Sequence, residues 1–183
     1  MSEAPMAPDW QVSRWFNSPT ALSLTQLRGR VVLLHAFQML CPGCVSHAVP
    51  QAERVHREYA RAGVTVIGLH TVFEHHAAMT PVALEAFLHE YRITHPVGID
   101  VAGGDDPVPV TMRRYDMRGT PSLMLIDRAG RLRLHEFGQV NDLRLGMEIG
   151  RLLAEVCPAP DAAQVGADTS VRDDGCDEKG CAA

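Results

Sequence analysis

Two cysteines separated by proline and glycine, Cys41-Pro42-Gly43-Cys44, carry the clearest chemical signal in the chain. A cysteine at the start of a helix meets unpaired N–H groups and the positive end of the helix dipole, so a thiolate at Cys41 is stabilised there. Pro42 suits a first helical turn, where its missing donor costs nothing. Two intervening residues bring the sulfurs within reach of one another. Cys41 can then attack a disulfide, and Cys44 can resolve the mixed disulfide that results. A chance pair, or half of a zinc site, would show the same spacing. The position between a strand signal and a helix signal favours redox chemistry.

Three more cysteines, Cys157, Cys176 and Cys181, make five in all, an odd number that excludes complete pairing within the chain. Cys157 reads as inert. Cys176 and Cys181 stand four residues apart in a polar segment where they serve no packing purpose. They are candidate redox partners of the Cys41–Cys44 pair. Metal capture, a regulatory disulfide and an idle tail are the other readings. A flexible chain of ~20 residues has an r.m.s. reach of ~25 Å, enough to return to the surface of a domain this size.

The elements that must position the pair alternate between two periods. Val31–Phe37 is a continuous run of aliphatic and aromatic residues, as in a buried strand. From Val45, the apolar positions Val49, Ala52, Val55, Tyr59 and Ala62 recur every three or four residues and describe one helical face, with Pro50 expected to kink it. Val64–Leu69 reads as a second strand. Thr80-Pro81 is a cap and first-turn proline, followed by a face at Leu84, Phe87, Leu88 and Tyr91. Pro96–Ile99 is a short strand, and Ala102–Pro109 a Gly- and Asp-rich loop. Ser122–Ile126 and Leu132–Phe137 flank Asp127-Arg128-Ala129-Gly130 as a hairpin. Asn141 caps a last helix with its stripe at Leu145, Ile149, Leu152 and Val156. The order implies an α/β fold: a mixed central sheet with helices on both faces, parallel in part, with an antiparallel hairpin edge.

Three regions follow. Residues 1–20 form an irregular lead-in whose Trp10, Trp15 and Phe16 can dock on the core. Residues 21–157 form the domain. Residues 158–183 form an acidic tail with the C-x4-C pair, expected to be disordered: six acids against two bases give it −4 of the chain's net −5. A net negative charge argues against general nucleic-acid binding. No apolar run nears the ~18–20 residues that span a bilayer. The N-terminus lacks the basic start and apolar segment of a secretory signal, and the cysteine usage suits a reducing compartment, so a cytoplasmic protein is expected.

With these landmarks in order, residues Asp9 to Val156 resemble the thioredoxin-like redoxin family, which includes thiol–disulfide oxidoreductases of the cytochrome-maturation type and relatives of the alkyl hydroperoxide reductase and thiol-specific antioxidant group. Leu22–Arg30 resembles the lead-in to the first core strand, Val31–Cys44 the strand and active-site turn, and Gly68-Leu69-His70-Thr71 the end of the second strand. Gly119-Thr120-Pro121-Ser122 resembles the loop that bears a cis-proline, and Leu125–Gly130 the hairpin after it. The resemblance implies a thioredoxin-like fold, no cofactor and no metal. It implies protein or small-molecule disulfides as partners, a thioredoxin-type reductant, and a role in redox homeostasis. Thr120 and Pro121 would position substrate.

Departures from the family pattern carry information too. Leu40 stands where a tryptophan is common. His35 stands where thioredoxins carry a buried acid. Leu34 and Gln38 stand where peroxiredoxins have proline and a hydroxyl residue, which disfavours a thiol peroxidase with Cys41 peroxidatic and Cys44 resolving. A four-thiolate zinc switch of Cys41, Cys44, Cys176 and Cys181 is the non-enzymatic reading. His35 and His47 are candidates for proton handling; a satisfied core histidine is the alternative for His35. His70, His75 and His76 could suggest a metal cluster, but His75 and His76 are adjacent, face different ways and read as loop residues.

Overall fold

The computed structural model describes residues 4–155. At its centre lies β2, Val31–Phe37, all seven residues of which are buried. A strand covered on both faces favours apolar side chains on both, which is why this run, His35 apart, shows no alternation. It pairs in parallel with β3, Val64–His70, from Val31↔Val64 to Phe37↔His70. On its other side it pairs antiparallel with β5, Ser122–Ile126. β6, Leu132–Phe137, closes that side as a hairpin. β4, Val97–Asp100, follows β3 in parallel, one residue later than the sequence pattern places it.

The outer edge beside β4 corrects the reading of residues 1–20 as irregular. Val12–Phe16 is a strand, β1, antiparallel to β4. The six-stranded order is therefore β1-β4-β3-β2-β5-β6. Trp10 and Phe16 are buried, and the Trp10 indole N–H donates to the Leu22 carbonyl at 2.7 Å.

Both faces of the sheet are covered. Ala52 and Val55 of α1 (Val49–Tyr59) and Leu145, Ile149 and Leu152 of α4 (Asp142–Ala154) pack on Val31, Leu33, Val64, Val66, Leu123 and Leu125. On the opposite face Val32, Leu34, Ala36, Ile67, Leu69, Met124 and Ile126 meet Trp10, Leu24, Leu27 and the segment around Met112 and Tyr115. A third cluster, at the end of the parallel strands, joins Cys44 and Val49 to Phe37 and to Leu84 and Leu88 of α2, Pro81–Glu90.

Two elements differ from the expected pattern. The helix after the cysteines does not run evenly through a kink at Pro50. A π-helical turn, Cys44–Ala48, comes first, with the Val49 N–H bonded to the Cys44 carbonyl, and Pro50 falls in the opening turn of α1. The irregularity sits one turn ahead of the proline, which cannot itself donate. The loop over 102–109 leads into a short helix, α3, Val110–Arg114. Buried Asp100 caps it, accepting from the Thr111 N–H at 2.8 Å and the Met112 N–H at 3.0 Å. No helix among the described residues is long and apolar enough to cross a membrane.

Candidate active site

β2 delivers the chain to Cys41 at the end of the parallel strands, and the helix begins immediately after. The Cys44 N–H donates to the Cys41 carbonyl at 3.0 Å and also lies 3.3 Å from Cys41 Sγ, so Cys41 occupies the position of a helix cap and its sulfur shares a first-turn donor. Cys41 is half-buried and Cys44 is buried, and both are free thiols. Cys41 Sγ also lies 3.4 Å from the Thr120 carbonyl oxygen. The peptide bond between Thr120 and Pro121 is cis. Pro121 approaches the helix start closely, with 3.5 Å between its Cδ and the place a side chain on Gly43 would take. One sulfur is therefore presented at the surface against a backbone carbonyl, and its partner sits beneath.

The two thiols differ in environment. Burial, followed by the neighbouring Cys41 sulfur, pushes the Cys44 thiol up to about 12, while the Gln38 backbone N–H and the Thr120 side chain pull the other way. Gln38 thus belongs to the site. In the sequence it stands out only as the absence of a peroxiredoxin hydroxyl; nothing local marks it as a neighbour of Cys44.

The contacts of the candidate proton carriers run to other groups. The interactions of the His35 ring run to Phe37, stacked at 5.3 Å between centroids, and to His95, edge-on at 5.0 Å. His95 in turn meets His56 of α1 at 6.0 Å. His35 is buried, neither ring nitrogen has a hydrogen-bond partner among the described residues, and burial, reinforced by His95, holds its pKa well below the ordinary value. His95, which a lone histidine before a proline does not announce, is the missing half of this cluster. His47 points its Nε2–H at the Val140 carbonyl, 3.1 Å away, beside the start of α4. His70 ends β3, where the resemblance over Gly68–Thr71 places it; it is buried against Phe37, and burial brings its pKa down to about 4. His75 and His76 are exposed. Among the described residues no group of three or more His, Cys, Asp or Glu is placed to hold a metal ion. Cys157, Cys176, Cys181 and the rest of the acidic tail lie outside the described residues.

A central parallel pair flanked by an antiparallel hairpin, a C-x-x-C at the strand-to-helix turn and a cis-proline facing it define a thioredoxin-like fold with a dithiol site. The Redoxin family profile matches residues 2–144, and the chain belongs to that family as a thiol–disulfide oxidoreductase-like protein. Similar solved structures include one described as a thioredoxin-like superfamily protein, 58% identical with a TM-score of 0.82, covering 85% of this chain and 100% of that one. Another is a thiol-disulfide isomerase from Corynebacterium glutamicum, 49% identical with a TM-score of 0.80, covering 84% of this chain and 98% of that one. A DsbE-type protein from Chlorobium tepidum, 22% identical with a TM-score of 0.67 and covering 84% and 99%, shares the fold. Among curated proteins the chain is 29% identical to Protein DipZ of Mycobacterium tuberculosis and Mycobacterium bovis over 136 residues, which is 73% of this chain and 18% of theirs.

Proposed function

We propose that the protein exchanges disulfides through Cys41 and Cys44, acting on protein or small-molecule disulfides, and that a thioredoxin-type system returns it to the dithiol. The observation that carries this reading is the asymmetry of the pair: an accessible Cys41 sulfur against the Thr120 carbonyl, and a buried Cys44 one turn behind it. An accessible thiolate attacks; a shielded one meets only the mixed disulfide already formed on its neighbour. The likeness to a thiol-disulfide isomerase at 49% identity supports the same chemistry.

The test is trapping. In Cys44→Ser, a protein disulfide substrate is expected to accumulate as a mixed disulfide on Cys41, mapped by mass spectrometry, and Cys41→Ser is expected to trap nothing. Iodoacetamide in limiting amount is expected to label Cys41 before Cys44. Preferential labelling of Cys44 overturns the assignment. Oxidation of Cys41 by hydrogen peroxide is expected to be slow beside exchange, because Leu34 and Gln38 supply neither of the residues that orient peroxide in peroxiredoxins. Peroxide rates that match exchange would favour the thiol-peroxidase reading instead. A cytoplasmic location is part of the proposal, and cell fractionation tests it.

A further inference from the structure

The end of the β5–β6 hairpin lies beside the cis peptide. Phe137 is paired with Ser122, and the Gly138 N–H donates to the Pro121 carbonyl at 2.8 Å. The Phe137 ring packs on the backbone just before that peptide: a side-chain carbon on Gly119 would stand 3.0 Å from Phe137 Cε2 and 3.4 Å from Cζ. The guanidinium of Arg118 sits over the same ring, 5.3 Å from its centroid. Arg118 is two residues before Thr120, whose carbonyl lies 3.4 Å from Cys41 Sγ, and two residues span at most about 7 Å of chain. Thr120 is itself fixed by the Gln38 amide, whose Nε2 donates to Thr120 Oγ1 at 3.5 Å.

This patch faces solvent. Phe137 is 48% exposed, Leu40 beside Cys41 is 56% exposed, and Arg118 is exposed. Arg118 has no hydrogen bond and no ion pair among the described residues. The acids on neighbouring elements have other partners: Glu136 meets Arg144 at 2.6 Å, and Asp142 meets Arg54 at 3.0 Å and Gln51 at 2.6 Å. Asp116, two residues before Arg118, is exposed and does not pair with it. An arginine held on an aromatic ring beside a nucleophile, with no carboxylate of its own, is a cation in search of an anion. Aromatic residues and arginine are also the types enriched where protein surfaces meet.

We propose that Arg118 and Phe137 are specificity-determining residues of the exchange reaction, selecting polypeptide disulfides whose cysteine is flanked by acidic side chains. The inference rests on the exchange reading above and names its substrate class. Phe137 orients the guanidinium, and Arg118 takes the substrate carboxylate. Attack joins Cys41 Sγ to the substrate sulfur and breaks the substrate S–S bond. The departing sulfur carries off the electron pair as a thiolate and is protonated from solvent. Carboxylates beside the attacked sulfur repel the Cys41 thiolate, and those beside the departing sulfur raise its pKa and slow its departure. A guanidinium at the rim offsets both effects. Arginine suits the task because it stays charged, stacks on an aromatic face and grips a carboxylate with two parallel donors. Stacking before the substrate arrives leaves less rotamer freedom to lose on binding.

The experiment uses the full chain carrying Cys157→Ser, Cys176→Ser and Cys181→Ser, so that only the active pair reports. The probes are two short peptides with one cysteine each, blocked as a mixed disulfide with thionitrobenzoate and identical except for Glu or Gln on both sides of the cysteine. Stopped-flow release of thionitrobenzoate gives the second-order rate of Cys41 attack on each. Both peptides meet the same Cys41, so a general change in its reactivity cancels in their ratio. The Glu peptide is expected to react about fivefold faster than the Gln peptide, the upper range for an exposed ion pair. The ratio is expected to fall to one or below in Arg118→Gln, to invert in Arg118→Glu, and to drop about halfway in Phe137→Leu, which frees the guanidinium from its ring. Raising the ionic strength from ~20 mM to ~500 mM is expected to remove most of the preference, as for any pair open to solvent. A ratio near one with Arg118 in place, or a ratio unchanged in Arg118→Gln, overturns the proposal. Failure to release thionitrobenzoate from either peptide, or release by Cys41→Ser at the same rate, would overturn the exchange reading itself.

Discussion

Cys41, Cys44, Thr120 and Pro121 were legible from the sequence because each belongs to a short local pattern that the family resemblance could order. Gln38 and His95 were not. Each matters through a neighbour distant in sequence, Thr120 in one case and His35 in the other, and no spacing along the chain records that proximity. The histidines also explain a glycine. Gly68 is paired with His35 across the sheet, and a side-chain carbon there would lie 2.9 Å from Val97 Cγ2, 3.0 Å from His95 Cε1 and 3.1 Å from His35 Nε2. Ring and valine are both packed in place, so none can give way freely. Gly68→Ala is expected to destabilise the protein by about 1–3 kcal/mol through overpacking, read as a lower urea midpoint at unchanged slope. A neutral result would mean that the two rings move apart without penalty.

The elements that the sequence pattern announces, β2, β3, β5, β6 and α4, have strong periodic patterns or clear punctuation. Those that the pattern does not announce, β1 and α3, are short or weakly patterned. β1 shows only Phe16 fully buried among its five residues, because an edge strand needs little apolar surface. α3 has five residues and is held by the Asp100 cap from another element rather than by its own propensity. α4 illustrates the opposite case. Its cap was visible as Asn141, and the structure shows Asn141 Oδ1 accepting from the Leu143 N–H at 3.0 Å and the Arg144 N–H at 3.2 Å. Removing an N-cap costs about 1 kcal/mol. Asn141→Ala is expected to lower thermal stability by about that amount while leaving disulfide exchange intact. A simultaneous loss of exchange would show that the start of α4, which His47 and Gln51 both contact through the Val140 carbonyl, also shapes the active site.

Across the whole molecule, the buried histidines give folding a pH dependence. Burial first, and then His56, hold His95 down to about 4, against the opposing pull of the Pro96 carbonyl and Glu53; burial alone does the same for His70. The unfolded chain takes up protons at these positions near pH 6.5, and the native chain does so only near 4. Stability is therefore retained above about pH 6.5 and lost progressively between 6.5 and 4, at about 3 kcal/mol for each histidine. Urea titrations at pH 7.5 and 4.5 are expected to differ by several kcal/mol, and the difference is expected to shrink in His70→Leu. Glu53, which burial pushes up but hydrogen bonds from Thr94 bring below its ordinary value, adds its own loss only at lower pH. The tail cysteines are also a question of the whole molecule. The last described residue, Glu155, is bonded to Arg133 and Arg128 near the turn of the β5–β6 hairpin, the end of the sheet remote from Cys41. A bridge from beyond Glu155 to Cys41 would have to span the length of the sheet, about 23 Å for the seven residues of β2. If Cys176 and Cys181 are redox partners of the active pair and shuttle its electrons, a Cys41–Cys176 or Cys41–Cys181 bridge is expected in mildly oxidised Cys44→Ser. Its absence, with turnover unchanged after truncation at Ala159, would retire the shuttle.

The widened turn at Cys44–Ala48 amounts to a phase shift within a single helix. Each residue of an α-helix advances about 100°, so one extra residue accommodated in a π turn offsets everything before it from everything after it by that angle. Cys44 and Val49 can then face the apolar cluster at the tip of the sheet, while Ala52 and Val55 face the cluster beneath it. Deleting one residue from this turn would let the hydrogen bonds close as an ordinary helix and would leave the composition almost untouched. It would also rotate Cys44 away from Thr120 by roughly a quarter of a turn, separating the helix that folds from the helix that works.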